Sequence, residues 1–155
     1  MAAITKADFS PLTILVIDDS PFMLRLLAEM LSGFGVGKVL TAETAEEAFQ
    51  RMEVRAPDVI FCDWEMYPMD GLALLRRLRQ QNQSHLASVP FVMVTGHNGN
   101  EDVTEALGEG ADSYVVKPFS AETLMNHLIK VIVQDKGHLS PPQAGILSQE
   151  VWAVE

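Results

Sequence analysis

The feature that most constrains this chain is a series of short apolar runs, each followed at once by polar or charged residues. Residues 14–17 precede Asp18 and Asp19, residues 59–62 precede Asp63, residues 91–94 precede Thr95, and residues 114–116 precede Lys117. Such uninterrupted runs are typical of strands buried on both faces of a parallel sheet covered by helices. The carboxyl ends of parallel strands share one edge, where ligands bind, so we expect these polar residues to meet there.

The segments between the runs have the pattern of amphipathic helices. Apolar residues recur at helical spacing after the predicted N-caps Ser20, Thr44 and Ser120. Thr44 and Glu47 have the spacing of a capping box. In the third helix the leucines form the apolar face, and we expect the arginines, Arg79 included, to be mostly in solvent. The alternation of strand and helix predicts five units and an α/β fold with a five-stranded, parallel, doubly wound sheet.

Length and composition indicate one domain with a net negative charge. The chain has 155 residues, a net charge of -10 and one cysteine, Cys62, which we expect to be a buried core residue. The negative charge argues against nucleic acid as a partner. Neither a signal peptide nor a membrane span is indicated, and the single cysteine fits a reducing compartment, so we predict a cytoplasmic location.

Three segments follow from the pattern. Residues 1–10 form a lead-in, residues 11–134 the domain, and residues 135–155 a linker and tail that begin where the strand–helix pattern stops. The tail is rich in Pro and Gly before an apolar end that contains Trp152. Two interpretations stay open: a disordered end, or a short helix at 148–154 that packs on this domain, a second copy or a partner.

The expected cluster of polar residues suits a metal ion and a phosphoryl group. Asp18, Asp19 and Asp63 would repel one another without compensation, and Mg2+ (or Mn2+) prefers such carboxylate oxygens. A carboxylate beside the metal can attack phosphorus, and the charge of the transferring group then needs neutralising. Lys117, the Thr95 hydroxyl and the Gly96 N–H are candidates for that task.

Four segments together resemble one family, the receiver domains of bacterial two-component response regulators (CheY-like). They are ILVIDDS at 14–20, VIFCDWEMYPMDG at 59–71, VMVTG at 92–96 and GADSYVVKPF at 110–119. Their order and spacing match the family over residues 11–134. The resemblance implies a flavodoxin-like sheet with strand order 2-1-3-4-5.

The resemblance also implies roles for individual residues. Asp63 would accept a phosphoryl group from the phosphohistidine of a sensor kinase or a histidine phosphotransfer protein. The metal would be bound by Asp18, Asp19 and Asp63 with the backbone carbonyl of Glu65, and the phosphoryl group by Thr95, Gly96 and Lys117. The bond before Pro118 would be cis.

A switch is implied at Thr95 and Tyr114. Thr95 would move toward the phosphoryl group and Tyr114 would turn inward. The surface formed by the fourth helix, fifth strand and fifth helix would then change its affinity for partners.

Three positions depart from, or add to, the family pattern. Tyr67 holds a place that is usually proline and Pro68 follows it, so we expect an altered loop shape. Glu65 and His97, two residues beyond Asp63 and Thr95, occupy positions that tune hydrolysis of the phosphoryl group. Whether they speed or slow it stays open, as does the alternative that His97 is simply a solvated loop residue.

We therefore predict a stand-alone receiver that is a signalling domain, not an enzyme beyond its own phosphotransfer and hydrolysis. It would act as a monomer or a phosphorylation-linked dimer on a downstream protein, without binding nucleic acid or membranes. Three alternatives remain: a phosphorylation-independent pseudo-receiver, a phosphatase acting through an aspartyl phosphate, and the N-terminal receiver of a longer regulator.

Overall fold

The sheet of this protein is parallel throughout and has five strands. The computed structural model describes residues 8–82 and 84–134. The strands are β1 (Thr13–Ile17), β2 (Lys38–Ala42), β3 (Val59–Cys62), β4 (Phe91–Thr95) and β5 (Ser113–Val116). Their order is β2-β1-β3-β4-β5, and every neighbouring pair is parallel. The predicted flavodoxin-like topology is confirmed.

Helices cover both faces of the sheet and run back against the strands. They are α1 (Pro21–Gly33), α2 (Ala45–Val54), α3 (Gly71–Arg79), α4 (Ser84–Ala87), α5 (Asn100–Gly108) and α6 (Ala121–Gln134). The short α4 was not predicted, so the fourth and fifth helices of the sequence analysis are α5 and α6. Two apolar clusters form the core. One packs α1 and α6 on one sheet face, and the other packs α2 and α3 on the opposite face.

The predicted caps fix where three helices begin. The Ser20 hydroxyl accepts a hydrogen bond from the Met23 N–H at 3.2 Å, and Thr44 accepts one from Glu47 at 3.0 Å. Ser120 caps α6 through the Thr123 N–H at 3.1 Å. Each cap satisfies a backbone donor that the first helical turn leaves without a partner. Helix starts were therefore readable from the sequence.

The prediction that Arg79 is mostly solvated was wrong. Its side chain is only 19% exposed. The guanidinium donates to the carbonyls of Ala87, Val89 and Gly110 at 2.7–3.2 Å and pairs with Asp112 at 3.1 Å. Because one planar group satisfies acceptors from three segments, Arg79 ties α3 to the end of α4, the start of β4 and the loop before β5.

Of two further sequence predictions, one is confirmed and the other falls outside the described residues. Cys62 is fully buried, as expected for a core residue, and burial raises the pKa of its thiol well above the usual range. The tail helix predicted at 148–154 lies outside the described residues.

Within the part of the chain that the structure describes, none of the helices combines the length and apolar character needed to cross a membrane.

Candidate functional site

Three carboxylates from two neighbouring strands converge at the carboxyl edge of the sheet. Asp18 and Asp19 follow β1, and Asp63 follows β3. Each offers an oxygen that lies within 4.8 Å of the oxygens of the other two. Asp18 is 1% and Asp63 8% exposed, whereas Asp19 is exposed. The three carboxylates therefore lie close together, as the sequence predicted.

The strand pairing and nearby donors hold the two buried carboxylates. The Asp63 N–H donates to the Ile17 carbonyl at 2.9 Å, which extends the β1–β3 ladder up to the site. Asp63 Oδ1 accepts from the Trp64 N–H at 2.8 Å, and Asp18 Oδ1 accepts from the Ser20 N–H at 2.9 Å. Each carboxylate thus keeps one oxygen on a backbone donor, which fixes its orientation.

Lys117 provides the positive charge of the site. Its Nζ lies 3.0 Å from Asp18 Oδ2 and 3.5 Å from Asp63 Oδ1, and the side chain is 22% exposed. The peptide bond to Pro118 is cis. The lysine therefore crosses from the end of β5 to the carboxylates of β1 and β3.

Burial and crowding make Asp63 harder to ionise than an ordinary aspartate. Desolvation raises the pKa of its carboxyl, and the neighbouring Asp18 charge raises it further. Lys117 and the Trp64 N–H lower that pKa but do not cancel the increase. A buried carboxylate whose ionised form is unfavourable is stabilised in that form when a further cation binds beside it.

The donor set fits a hard divalent cation. Carboxylate oxygens at this spacing suit Mg2+, which takes one or two carboxylates and completes its shell with water and phosphate oxygens. The nearby sulfur does not join the set, because the Cys62 thiol is buried and donates to the Asp63 carbonyl at 3.2 Å. The chemistry of the cluster therefore favours Mg2+ or Mn2+ over zinc.

Thr95 and Gly96 lie at the end of β4. Thr95 is fully buried, and its hydroxyl accepts from the His97 N–H at 3.2 Å. Its carbonyl accepts from the Lys117 N–H at 2.8 Å, which links the ends of β4 and β5. Gly96 is exposed, and a Cβ there would meet no atom within 4 Å.

His97 is part of a side-chain network, and the alternative of a solvated His97 does not hold. Its side chain is 28% exposed, and Nε2 lies 2.8 Å from Glu65 Oε2. Nδ1 lies 3.9 Å from Asp102 Oδ2, and the ring packs on Trp64 at 4.9 Å between centroids. His97 therefore connects the loop after β3 with the loop after β4 and with α5.

Tyr114 contacts the same network from β5. Its hydroxyl donates to the His97 carbonyl at 2.8 Å, and its ring meets Trp64 edge-on at 6.5 Å. Burial, with a smaller contribution from Asp102, raises the pKa of Tyr114 to about 12. The tyrosine thus remains a neutral hydrogen-bond donor at physiological pH.

Gly71 is a residue of the site that sequence reasoning treated only as part of a motif. A Cβ on Gly71 would lie 2.1 Å from the Asp63 carbonyl oxygen. The Gly71 N–H also donates to the Trp64 carbonyl at 2.7 Å. The glycine lets the start of α3 approach the backbone of Asp63, a close approach that sequence alone could have flagged only as a turn.

The loop after β3 has a cis peptide bond and an exposed tyrosine, while the altered shape expected for it stays a prediction. The Tyr67–Pro68 bond is cis, which was not predicted, and Tyr67 is 83% exposed. An open cavity of about 450 Å3 lies between this loop and the carboxylate cluster, with Asp19, Glu65 and His97 in its lining. The Glu65 side chain is directed to His97, while the role predicted for its carbonyl stays a prediction.

Comparison with known proteins agrees with this fold. Residues 14–129 match the model of the response regulator receiver domain. The chain therefore belongs to the response regulator receiver family, a family of signalling domains.

Individual relatives match over most of the chain. It is 36% identical to the chemotaxis protein CheY1 of Helicobacter pylori over 120 residues, 77% of this chain and 95% of CheY1. The structure of the chemotaxis protein CheY4 of Vibrio cholerae has a TM-score of 0.72 and 31% identity, with 77% of this chain and 98% of CheY4 covered. The structure of NtrX from Brucella abortus has a TM-score of 0.74 and 32% identity, but only 27% of its chain is covered, against 81% of this one. The same fold thus makes up nearly the whole of some chains and only a part of longer ones.

Proposed function

We propose that this receiver accepts a phosphoryl group on Asp63 from a sensor histidine kinase or a histidine phosphotransfer protein. The observation that carries the proposal is the convergence of Asp18, Asp19 and Asp63 within 4.8 Å, with the Lys117 ammonium beside two of them. A structural core has no need for three carboxylates at one point, because their mutual repulsion opposes folding. A site for a cation and a phosphoryl group makes use of them.

The transfer joins an Asp63 carboxylate oxygen to phosphorus. As the oxygen attacks, the P–N bond to the donor imidazole breaks and its electron pair returns to the ring nitrogen, which then takes up a proton. Charge spreads over the phosphoryl oxygens during this step, so positioning and charge neutralisation supply the catalysis. Lys117 is the candidate to bind one of these oxygens, and the Thr95 hydroxyl and Gly96 N–H are candidates for another.

Asp18, Asp19 and Asp63 would hold the Mg2+, with the Glu65 carbonyl as the further predicted ligand. When bound, the ion neutralises the phosphoryl oxygens and relieves repulsion among the carboxylates. The Trp64 N–H keeps one Asp63 oxygen oriented. The Ser20 N–H does the same for Asp18.

We propose that Thr95 and Tyr114 transmit the phosphorylation state. The Thr95 hydroxyl accepts from the His97 N–H, and the His97 carbonyl accepts from Tyr114. If Thr95 turns to the phosphoryl group, it gives up the first bond and leaves the loop that anchors Tyr114 free to move. The partner affinity of the surface formed by α5, β5 and α6 then changes as a population shift.

Glu65 and His97 are proposed to tune the lifetime of the phosphoryl group. They pair at 2.8 Å, and both line the open cavity that Asp19 of the carboxylate cluster also lines. Glu65→Gln and His97→Ala should each change the dephosphorylation rate without abolishing phosphorylation. Unchanged rates in both variants would contradict this role.

Output is proposed to pass to a downstream protein or onward through a relay, with a receiver that is a monomer or a phosphorylation-linked dimer. The predicted cytoplasmic location belongs to this proposal. The chain covers 95% of CheY1 but 27% of NtrX, so the alternative of a longer regulator keeps the same site with a different output.

The test is phosphorylation by a small-molecule phosphodonor with Mg2+, followed by the mass of the intact protein. Wild type should gain one phosphoryl group through an acid-stable, alkali-labile bond, and Asp63→Asn should gain none. Asp8→Asn, which alters an exposed carboxylate of the lead-in, should be labelled like wild type.

A second measurement separates a failed donor from a failed site. The Trp64 N–H donates a hydrogen bond to Asp63. A Mg2+ titration of Trp64 fluorescence, in a Trp152→Phe background that leaves Trp64 as the one tryptophan, therefore reports metal binding directly. Metal binding without label from small donors or from histidine kinases would overturn the proposal and favour the pseudo-receiver.

A further inference from the structure

A basic groove lies at the edge of the sheet, on the side away from Asp63. It is an open cavity of about 490 Å3 between the amino-terminal half of β2 and the carboxyl-terminal half of α2. Leu40 and Val54 give it an apolar lining, and Val54 is 88% exposed. Neither the carboxylate cluster nor the surface formed by α5, β5 and α6 includes these residues.

The groove is positively charged although the chain carries a net charge of -10. Lys38, Arg51 and Arg55 line it, against the single acid Glu47. Glu47 pairs with Arg51 at 3.4 Å, while Arg55 donates to the neutral Thr13 hydroxyl at 3.0 Å. Lys38 has no acidic partner among the described residues. Three cations against one acid in the lining leave a net positive charge for an acidic ligand.

The backbone beside the groove is an edge strand with donors and acceptors to offer. The Lys38 N–H donates to Leu12 and the Ala42 carbonyl accepts from Asp18, so Lys38, Leu40 and Ala42 face β1. By alternation, the N–H and carbonyl groups of Val39 and Thr41 point away from the sheet.

Only one of those outward groups has a partner among the described residues: the Thr41 carbonyl accepts from Arg51 at 3.0 Å. Such an edge can pair with an added strand. Its cations discourage a neutral or basic strand and leave an acidic one as the fitting occupant.

We propose that residues 148–155 of this same chain dock in the groove and pair with the edge of β2. The segment reads SQEVWAVE: it carries Glu150 and Glu155, has no Lys or Arg, and contains Val151, Trp152 and Val154. β-Branched and aromatic residues favour a strand. In a strand, Glu150, Trp152 and Val154 share one face, which matches the cations and apolar surface of the groove.

The connection is long enough and starts at the same edge of the sheet as the groove, although α6 packs on the sheet face opposite to α2. α6 follows Lys117 at the carboxyl edge and runs back for 14 residues, so Gln134 lies toward the amino edge of the sheet. Lys38, which begins β2, lies at that same edge. Residues 135–147 span up to about 43 Å when extended. The sheet from β5 to β2 is four strand spacings, or roughly 19 Å, across.

Hydrogen exchange of the full chain, read at the outward amides of Val39 and Thr41, tests the docking. In wild type these edge amides should be protected. In a Trp152→Ser/Val154→Ser variant, whose changes lie outside the sheet, they should exchange about tenfold faster, as expected when a protecting hydrogen bond is lost. Amides of Leu15 and Phe61 in the sheet centre should not change.

Charge reversal gives a second, independent test. Lys38→Glu should release the same two amides, whereas the matched control Lys130→Glu on the exposed side of α6 should not. Restoring the pairing with Glu150→Lys in the Lys38→Glu chain should return the protection.

The proposal is overturned if Val39 and Thr41 exchange at the same rate in wild type and the tail variant. It is also overturned if protection depends on protein concentration and accompanies a dimer in light scattering, since the groove would then hold the tail of a second copy. Neither hydrogen exchange nor light scattering depends on phosphorylation of Asp63. The docking of the tail and the phosphorylation of Asp63 can therefore be confirmed or contradicted separately.

Discussion

The Lys117 ammonium lies 3.0 Å from Asp18 Oδ2, and this pair joins the end of β5 to the end of β1 across the width of the site. The same Nζ lies 3.5 Å from Asp63 Oδ1. Lys117 therefore compensates two carboxylates that repel each other. We expect the balance of charge in the site to depend on this one cation when no metal is bound.

Lys117→Met should destabilise the protein in metal-free buffer, because it keeps the aliphatic stem and removes the charge. The expected loss is about 1–2 kcal/mol, below that of a fully buried pair because the lysine is 22% exposed. Urea unfolding measures it. Mg2+ should recover part of the loss, since the ion takes over the compensation. Lys130→Met on the exposed side of α6 is the control, and equal losses in the two variants would contradict this account.

Asp63→Asn should raise the stability of the metal-free protein at neutral pH. The pKa of Asp63 is raised from its ordinary value of 3.8, so its ionisation costs folding free energy at every pH above the folded pKa. The cost disappears as pH falls through the folded pKa toward 3.8. The gain in Tm should therefore be largest near pH 7 and vanish in acid.

Thermal unfolding from pH 7 to 3.5 with a chelator present checks this prediction. Glu122→Gln, which removes an exposed carboxylate from the first turn of α6, should give no gain. A Tm increase of Asp63→Asn that is the same at both ends of the pH range would show that packing, not charge, is responsible.

The sequence was sufficient for the parts of this molecule that depend on periodicity. Short uninterrupted apolar runs that alternate with amphipathic helices favour strands covered on both faces. The sheet and the convergence of Asp18, Asp63 and Lys117 therefore followed from their positions at strand ends. Caps at Ser20 and Thr44 were readable because they satisfy local backbone donors.

The remaining features depend on loop conformations that local pattern does not determine. The contact of His97 with Glu65 and Trp64 joins two loops 32 residues apart in the chain, and no periodicity connects them. Arg79 has the same sequence setting as its solvated neighbour Arg76, yet only Arg79 faces the carbonyls at the start of β4. Long side chains reach buried acceptors or solvent from the same backbone position, so the fold decides between them.

Gly71→Ala should disturb the site without touching any of its charges. The added Cβ would lie 2.1 Å from the Asp63 carbonyl oxygen, so α3 or the backbone of Asp63 and Trp64 must move. We expect a stability loss of about 1–3 kcal/mol, typical of overpacking a tight contact. Weaker Mg2+ binding should accompany it, measured by calorimetry.

Gly108→Ala is the matched control for that substitution. A Cβ at Gly108 meets nothing within 4 Å, and alanine is the better helix former, so stability should hold or rise. If Gly71→Ala binds Mg2+ as tightly as the control, the close approach of α3 is not needed for the geometry of Asp63.

Arg79→Lys should be far more damaging than its conservative appearance suggests. An ammonium cannot reproduce the planar fork that reaches the carbonyls of Val89 and Gly110 together, so buried acceptors lose their donors. We expect a loss of about 2–3 kcal/mol in chemical unfolding. Arg76→Lys, whose pairs with Glu105 and Glu109 are exposed, should cost less than about 1 kcal/mol. Because Arg79 lies away from the carboxylates of the site, Arg79→Lys should leave the Mg2+ affinity of the folded protein unchanged. A parallel fall in Mg2+ affinity would contradict this, since it would mean that a displacement of α3 also displaces Asp63.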